Sequence, residues 1–195
     1  ITVGILFFFM NLNQKLNNTK QQVDLEHNKY HLEVYNDLKL FIKNKFIAFS
    51  EFKFNLSKIW DEEEQRGSTL VKFNQRHGEF MTMIITDDEG IILHSSPSDL
   101  VENARKNNKI FNVADRDYFI NAIGVDDVYL SPGFFGRGFG NNLIVALSVG
   151  VPDRFSDTNV GVLEGTIALN RINKISEIFS QLNPNLNAVL VDQNN

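Results

Sequence analysis

The rhythm of apolar and polar positions changes twice along this chain. Ile1–Met10 carries no charge and ends in the run Phe7, Phe8, Phe9 and Met10, after which Asn11–Asn18 is strongly polar. A membrane span needs about 20 apolar residues, so residues 1–10 are read as the outer end of a transmembrane helix. A short apolar strand or an interfacial segment is the alternative. From Ile5 to Arg66 there is neither Gly nor Pro, which predicts a very long helix. Leu16, Val23 and Tyr30 stand seven apart, the spacing of a thin seam between two helices. From Val34 the apolar stripe thickens through Leu38, Phe41, Ile42, Phe46, Phe49, Phe52, Leu56 and Ile59, at steps of three and four, so the helix there lies on a core. The acidic run Asp61–Glu64 suits the positive end of a helix and not the negative one, which predicts a break near Trp60 and a new helix beyond it. Ser68 is expected to cap a further short helix that Gly78 ends.

Beyond Gly78 the period becomes two. Phe80–Thr86 and Ile91–Ser95 read as a strand pair about the turn Asp87–Gly90. Pro97 and Ser98 open a polar helix through Asn107, with Leu100, Val101 and Ala104 inward, and Asp115 opens a second short helix closed by Gly124. Three more strands are predicted over 127–131, 142–150 and 160–169, the last two joined by the polar turn 151–159. The result is an α+β fold, a long N-terminal helix packed on a five-stranded antiparallel PAS-like sheet with helices inserted after the second strand.

Composition narrows the function classes. The chain has 195 residues, 43% hydrophobic and 22% charged, enough for one domain with a real core. Net charge is −5 and no basic block occurs, so a nucleic-acid partner is not expected. With no cysteine there is no disulfide, thiol catalysis or cysteine zinc site. His27 and His31 stand four apart without the intervening Glu of a metalloprotease helix and without a third ligand, so a solvated helix face is expected. No nucleophile with its base and no suitably spaced carboxylate pair stands out. No enzyme, metal or cofactor is expected.

The richest local chemistry is Phe111–Phe119. An Arg between two Asp and before two aromatics places a fixed charge beside flat apolar surface, which suits capture of a small polar molecule. The same residues also fit a structural role, with Asp115 as a helix cap, Arg116 paired to a neighbouring carboxylate, and Tyr118 and Phe119 in the core. The glycine-rich stretch 132–142 matches neither a dinucleotide fingerprint nor a P-loop. It is read as a flexible hairpin loop over a pocket mouth, from which Arg137 can reach a ligand.

Taken together, the long exit helix, Thr86–Gly90, Asp115–Phe119, Val128–Ser131, Ala146–Asp153 and Val160–Leu169 resemble the Cache family, the PAS-like extracytoplasmic sensor domains of bacterial histidine kinases, chemoreceptors and diguanylate cyclases. The resemblance implies a small-molecule ligand between the sheet and the short helices and a domain facing the periplasm or exterior of the bacterial inner membrane, and the seven-residue spacing adds a homodimer through the long helix from Asn11 to about Tyr35. Asn187–Asn195 echoes Met83–Gly90 and is read as the start of an internal repeat, with a lone strand that completes the same sheet as the alternative. The implied organisation is a membrane exit over 1–10, a stalk and signalling helix over 11–66, a membrane-distal unit over 67–169, a connecting helix over 170–183 and the first strand of a second, membrane-proximal unit over 184–195. The alternative is a structural dimerisation or spacer domain, or one that binds a protein partner.

The family's pocket carries over only in part. Arg116, Tyr118 and Phe119 match its arginine and aromatic positions, Tyr129 its tyrosine on the third strand, and Phe111 a further aromatic. Amino-acid-binding members carry Trp where Tyr118 stands and Asp where Thr166 stands, and Ser131 is uncharged where a carboxylate would help. With Arg116 present and that acid replaced, the departure from the family's pattern argues against a free α-amino acid and for an anionic or neutral ligand such as a carboxylate. Glu164 lies two residues from Thr166 and so shares its strand face.

Overall fold

The computed structural model describes residues 2–107, 109–136 and 142–169. Helix α1 runs from Thr2 to Lys58. Its exposed stretch gives way near Leu38 to a face that carries Phe49, Phe52 and Leu56 into the core. It stops where the acidic run required it to. After a short turn, in which Ile59 N–H bonds Leu56 O at 3.1 Å, α2 spans Glu63–His77 with Glu63 and Glu64 in its first turn. Arg66 pins the corner: its guanidinium lies 4.8 Å from the Trp60 ring and donates to the Trp60 carbonyl. Two expectations need correction here. Ser68 starts no helix, because α2 is continuous from Glu63 and the Ser68 hydroxyl donates back to Gln65 O at 3.1 Å. Gly67 is tolerated inside the helix, whereas Gly78 does end it, with φ +38° and its N–H on Asn74 O at 2.8 Å.

The sheet follows. Strands β1 (Thr82–Asp87) and β2 (Ile92–Ser96) form the expected hairpin. The helices α3 (Asp99–Lys106) and α4 (Asp117–Ile123) come next. Then come β3 (Tyr129–Leu130), β4 (Phe134–Phe135), β5 (Leu143–Pro152) and β6 (Asn159–Ala168). Every pairing is antiparallel, in the order β2-β1-β6-β5-β3, with β4 continuing the β3 edge along β5. The third strand is thus shorter than expected. The stretch read as a loop from Pro132 contributes a strand of its own, because Phe134 pairs with Ile144 and Phe135 with Leu143.

Period two sorts the strands into two faces. Met83 and Ile85, Leu147, Val149 and Val151, and Leu163 and Ile167 join Phe49, Phe52, Leu56, Leu70 and Phe80 in one core between the sheet and α1 and α2. Phe73 of α2 stacks on Phe52 at 4.0 Å and 5°. Gly165 lets this layer close: a Cβ there would meet Phe80 Cδ1 at 2.7 Å and Phe49 Cζ at 2.8 Å. The opposite face carries Ile84, Ala146 and Val162, which pack with Val113, Tyr118, Phe119 and Ala122. Two lysines of α1 are buried yet satisfied. Lys45 pairs with Glu79 at 2.8 Å, and Lys53 donates to Asp126 O at 2.5 Å, in the loop after α4.

Among the described residues no helix is long and apolar enough to cross a membrane. His31 is exposed, and no group of three His, Asp or Glu among the described residues is placed to hold a metal. The connecting helix expected over 170–183 and the second-unit strand expected over 184–195 lie outside the described residues, as does Arg137.

Candidate functional site

Helix α4 hangs over the second face of the sheet on buried hydrogen bonds. Ser148 of β5 donates to Tyr118 O at 2.7 Å, and Asn159 of β6 donates to Ile123 O at 2.8 Å. The helix begins at Arg116, whose backbone is extended (φ −88°, ψ 137°), so Arg116 and not Asp115 holds the cap position. Asp117 sits in the first turn, where a carboxylate is favoured. Its Oδ1 accepts from Asn121 Nδ2 at 3.0 Å and its Oδ2 from Tyr129 Oη at 2.5 Å. The segment before α4 is fastened to the hairpin: Ile92 N–H bonds Phe111 O and Val113 N–H bonds Gly90 O, each at 2.9 Å.

Beneath this cover lies a cavity of about 350 Å³. Its floor is Thr82, Glu164 and Thr166, and its walls and roof include Phe111, Arg116, Tyr118 and Phe134. A second chamber of about 320 Å³ shares Asp115, Arg116, Tyr118 and Phe134 with the first and adds Asp117, Ser131 and Pro132. Each chamber is of a size that holds a small organic molecule. A larger groove of about 540 Å³ between α2, β2 and α3 is more open, and its Arg105 is already paired with Glu63 at 3.6 Å.

Asp115, Arg116 and Glu164 bring charge to the inner chamber, and the last two are the more buried. Glu164 is 2% exposed and accepts from Thr166 Oγ1 at 2.6 Å. Burial pushes its carboxyl up to about 8, against the smaller opposing pull of the Thr166 hydrogen bond. Arg116 is half-buried; its backbone bonds Val113 O, and among the described residues its guanidinium has no hydrogen-bond or ion-pair partner. Burial, then the neighbouring Glu164, holds the Tyr118 phenol well above its ordinary range. A free guanidinium and a buried carboxyl therefore face one enclosed space.

The residues singled out in the sequence separate into groups. Arg116, Tyr118, Phe111 and Thr166 line the inner chamber, and Ser131 lines the outer one. The Ser131 hydroxyl is occupied, donating to Pro132 O and accepting from Ala146 N–H, each at 2.9 Å. Phe119 is core beneath α4, and Tyr129 lines neither chamber but steadies Asp117. Phe134, Thr82 and Asn112 line the inner chamber without having been singled out. Phe134 sits within a glycine-rich stretch that conceals a strand. Glu164 places a carboxyl beside Thr166 in the inner chamber, and the shared strand face was its signal in the sequence.

No protein-family model matches the sequence, and no curated protein matches it. Solved structures do match in fold. The ligand-binding domain of the Pseudomonas fluorescens chemoreceptor CtaA, in complex with L-serine, superposes with TM-score 0.64 at 14% identity, over 80% of this chain and 63% of that one. The ligand-binding domain of the Campylobacter jejuni chemoreceptor Tlp3, in complex with 4-methylisoleucine, superposes with TM-score 0.59 at 10% identity, over 73% and 57%. The fold is thus the one implied by the sequence resemblance to Cache sensor domains, and the match spans roughly three-fifths of those two domains.

Proposed function

We propose that this chain is the ligand-sensing part of a bacterial transmembrane receptor, a binding module and not an enzyme, facing the periplasm or exterior. The carrying observation is the pairing, in one enclosed chamber, of the unpartnered Arg116 guanidinium with the fully buried Glu164. Arg116 takes an anionic group of the ligand, most simply a carboxylate, through charge-assisted hydrogen bonds, while Phe111, Tyr118 and Phe134 cover its apolar part. Glu164 takes a hydrogen-bond donor, and an ammonium group above it would drive off its proton. The solved domains that share the fold were crystallised with amino acids, which carry both groups. In this reading α1 conveys the bound state toward the membrane, and the apolar stretch Ile1–Met10 belongs to the anchor.

The test is a thermal-shift screen of the chain against carboxylates, amino acids, amines, nucleobases and sugars. A ligand present at 100 times its dissociation constant stabilises the fold by about 2.7 kcal/mol, a shift of several degrees. The expected result is a hit that disappears in Arg116→Ala while the variant's own melting temperature stays close to that of the parent. Silence across the panel from a well-folded sample would replace this reading with that of a spacer or protein-partner domain.

A further inference from the structure

The two chambers carry charge in a fixed order. Glu164 lines only the inner chamber, Asp117 only the outer one, and Arg116 both. A cation therefore stands at the junction with a carboxyl on each side of it. Neither carboxyl is loose: Glu164 accepts from Thr166 Oγ1 at 2.6 Å, and Asp117 is held by Asn121 at 3.0 Å and Tyr129 at 2.5 Å. Asp115 borders both chambers and adds negative charge around the Arg116 junction. A ligand filling only the inner chamber would leave the outer one, of nearly equal volume, to water. A ligand whose second end is anionic would meet like charge from Asp117 there, and an apolar end would gain nothing from it.

From this order we propose that the cleft takes a basic amino acid, one with a second ammonium or guanidinium at the end of its side chain. The inference rests on the sensor reading above and names its ligand class. The three groups on the α-carbon fit the junction. The α-carboxylate meets Arg116, the α-ammonium turns inward over Glu164, and the side chain runs outward past Tyr118 and Phe134, its terminal cation reaching Asp117. Tyr118 and Phe134 line both chambers with ring centroids 6.2 Å apart and give the apolar stem of such a side chain its cover, while its charged tip suits the outer chamber. Because Asp117 is exposed, its attraction for that tip is modest and acts chiefly as a filter between ligands.

Calorimetric titration of the chain with L-lysine, L-norleucine and cadaverine tests this, since norleucine lacks only the terminal ammonium and cadaverine lacks the carboxylate. Lysine is expected to bind about tenfold tighter than norleucine, and cadaverine to bind far more weakly than either. In Asp117→Asn, which keeps the shape and an acceptor for Tyr129, the lysine preference should fall to near unity with norleucine binding unchanged. Norleucine binding as tightly as lysine to the parent chain would overturn the inference and leave the sensor reading standing. A lysine preference that survives Asp117→Asn would overturn it equally. Should none of the three ligands bind while another class in the thermal screen does so through Arg116, the inference also falls. If nothing binds, both readings fall. Were Asp117→Asn not to fold, the ratio in the parent chain would still decide.

Discussion

Replacing Glu164 with Gln isolates the cost of burying an ionisable floor in the inner chamber. In the folded chain the carboxyl is pushed up to about 8 from an ordinary value of 4.5. Below about pH 4.5 both folded and unfolded states hold the proton, and the group contributes nothing to the pH dependence. As pH rises above that, the unfolded chain ionises while the folded one does not, so stability is lost progressively until about pH 8. At pH 7 the loss comes to about 3 kcal/mol, and from about pH 6.5 to 8.5 the parent chain should lose about 2 kcal/mol. Gln keeps the carbonyl that Thr166 donates to and carries no proton equilibrium. Glu164→Gln should therefore be more stable than the parent at pH 7 by up to about 3 kcal/mol, or roughly 6–12 °C in melting temperature, and flat across that pH interval. Urea unfolding at several pH values reads both quantities. A parent whose stability is constant from about pH 6.5 to 8.5, or a Gln variant less stable than the parent at pH 7, would mean that the carboxyl is ionised in the fold and would refute the burial cost.

Two further outcomes follow from features outside the site. His94 is held down to about 4 by burial and then by Arg66 and Arg105, so below about pH 6.5 the unfolded chain takes up a proton that the folded one refuses. Discounted for its partial exposure, this should cost about 1–2 kcal/mol by pH 4.5, and His94→Gln should show a correspondingly shallower acid limb in the same urea series. Leu16 and Val23 lie exposed along α1 on the seven-residue seam that continues to Tyr30, and we expect a homodimer in which paired helices cover that seam. Sedimentation velocity should find a dimer that Val23→Lys and Tyr30→Lys together dissociate; a monomer at high concentration would refute it.

Much of this architecture could be read from residue order because the signals were local. Breaker-free spacing made α1 legible, and the placement of Asp61–Glu64 made its end legible, since a carboxylate run has one favoured helix terminus. Alternation in 142–150 and 160–169 named the long strands and, with them, the two faces of the sheet. What escaped depended on partners distant in sequence. Phe134 and Phe135 form a strand only because Ile144 and Leu143 lie opposite them, and the glycines around them pointed the other way. Ser68 suggested a helix start, but the anchoring of Arg66, Leu70 and Asn74 in the core overrides it. Within the site, Arg116 and Tyr118 followed from a compact motif. The place of Glu164 on the Thr166 strand face was legible too, but its burial was not, because only the β1–β6–β5 register places its carboxyl beneath α4 and strips it of water.

The close approach at Gly165 makes the partition between chamber and helix a single polypeptide thick. Glu164 and Thr166 point up into the cleft, and at the residue between them the ring of Phe49 rests against bare backbone from below. In the sensor proposed above, a molecule that pressed on this floor would bear on the rings of Phe80 and Phe49, and through Phe49 on α1. The glycine that lets the core close would then make β6 a diaphragm, with the proposed ligand on one side and the helix on the other.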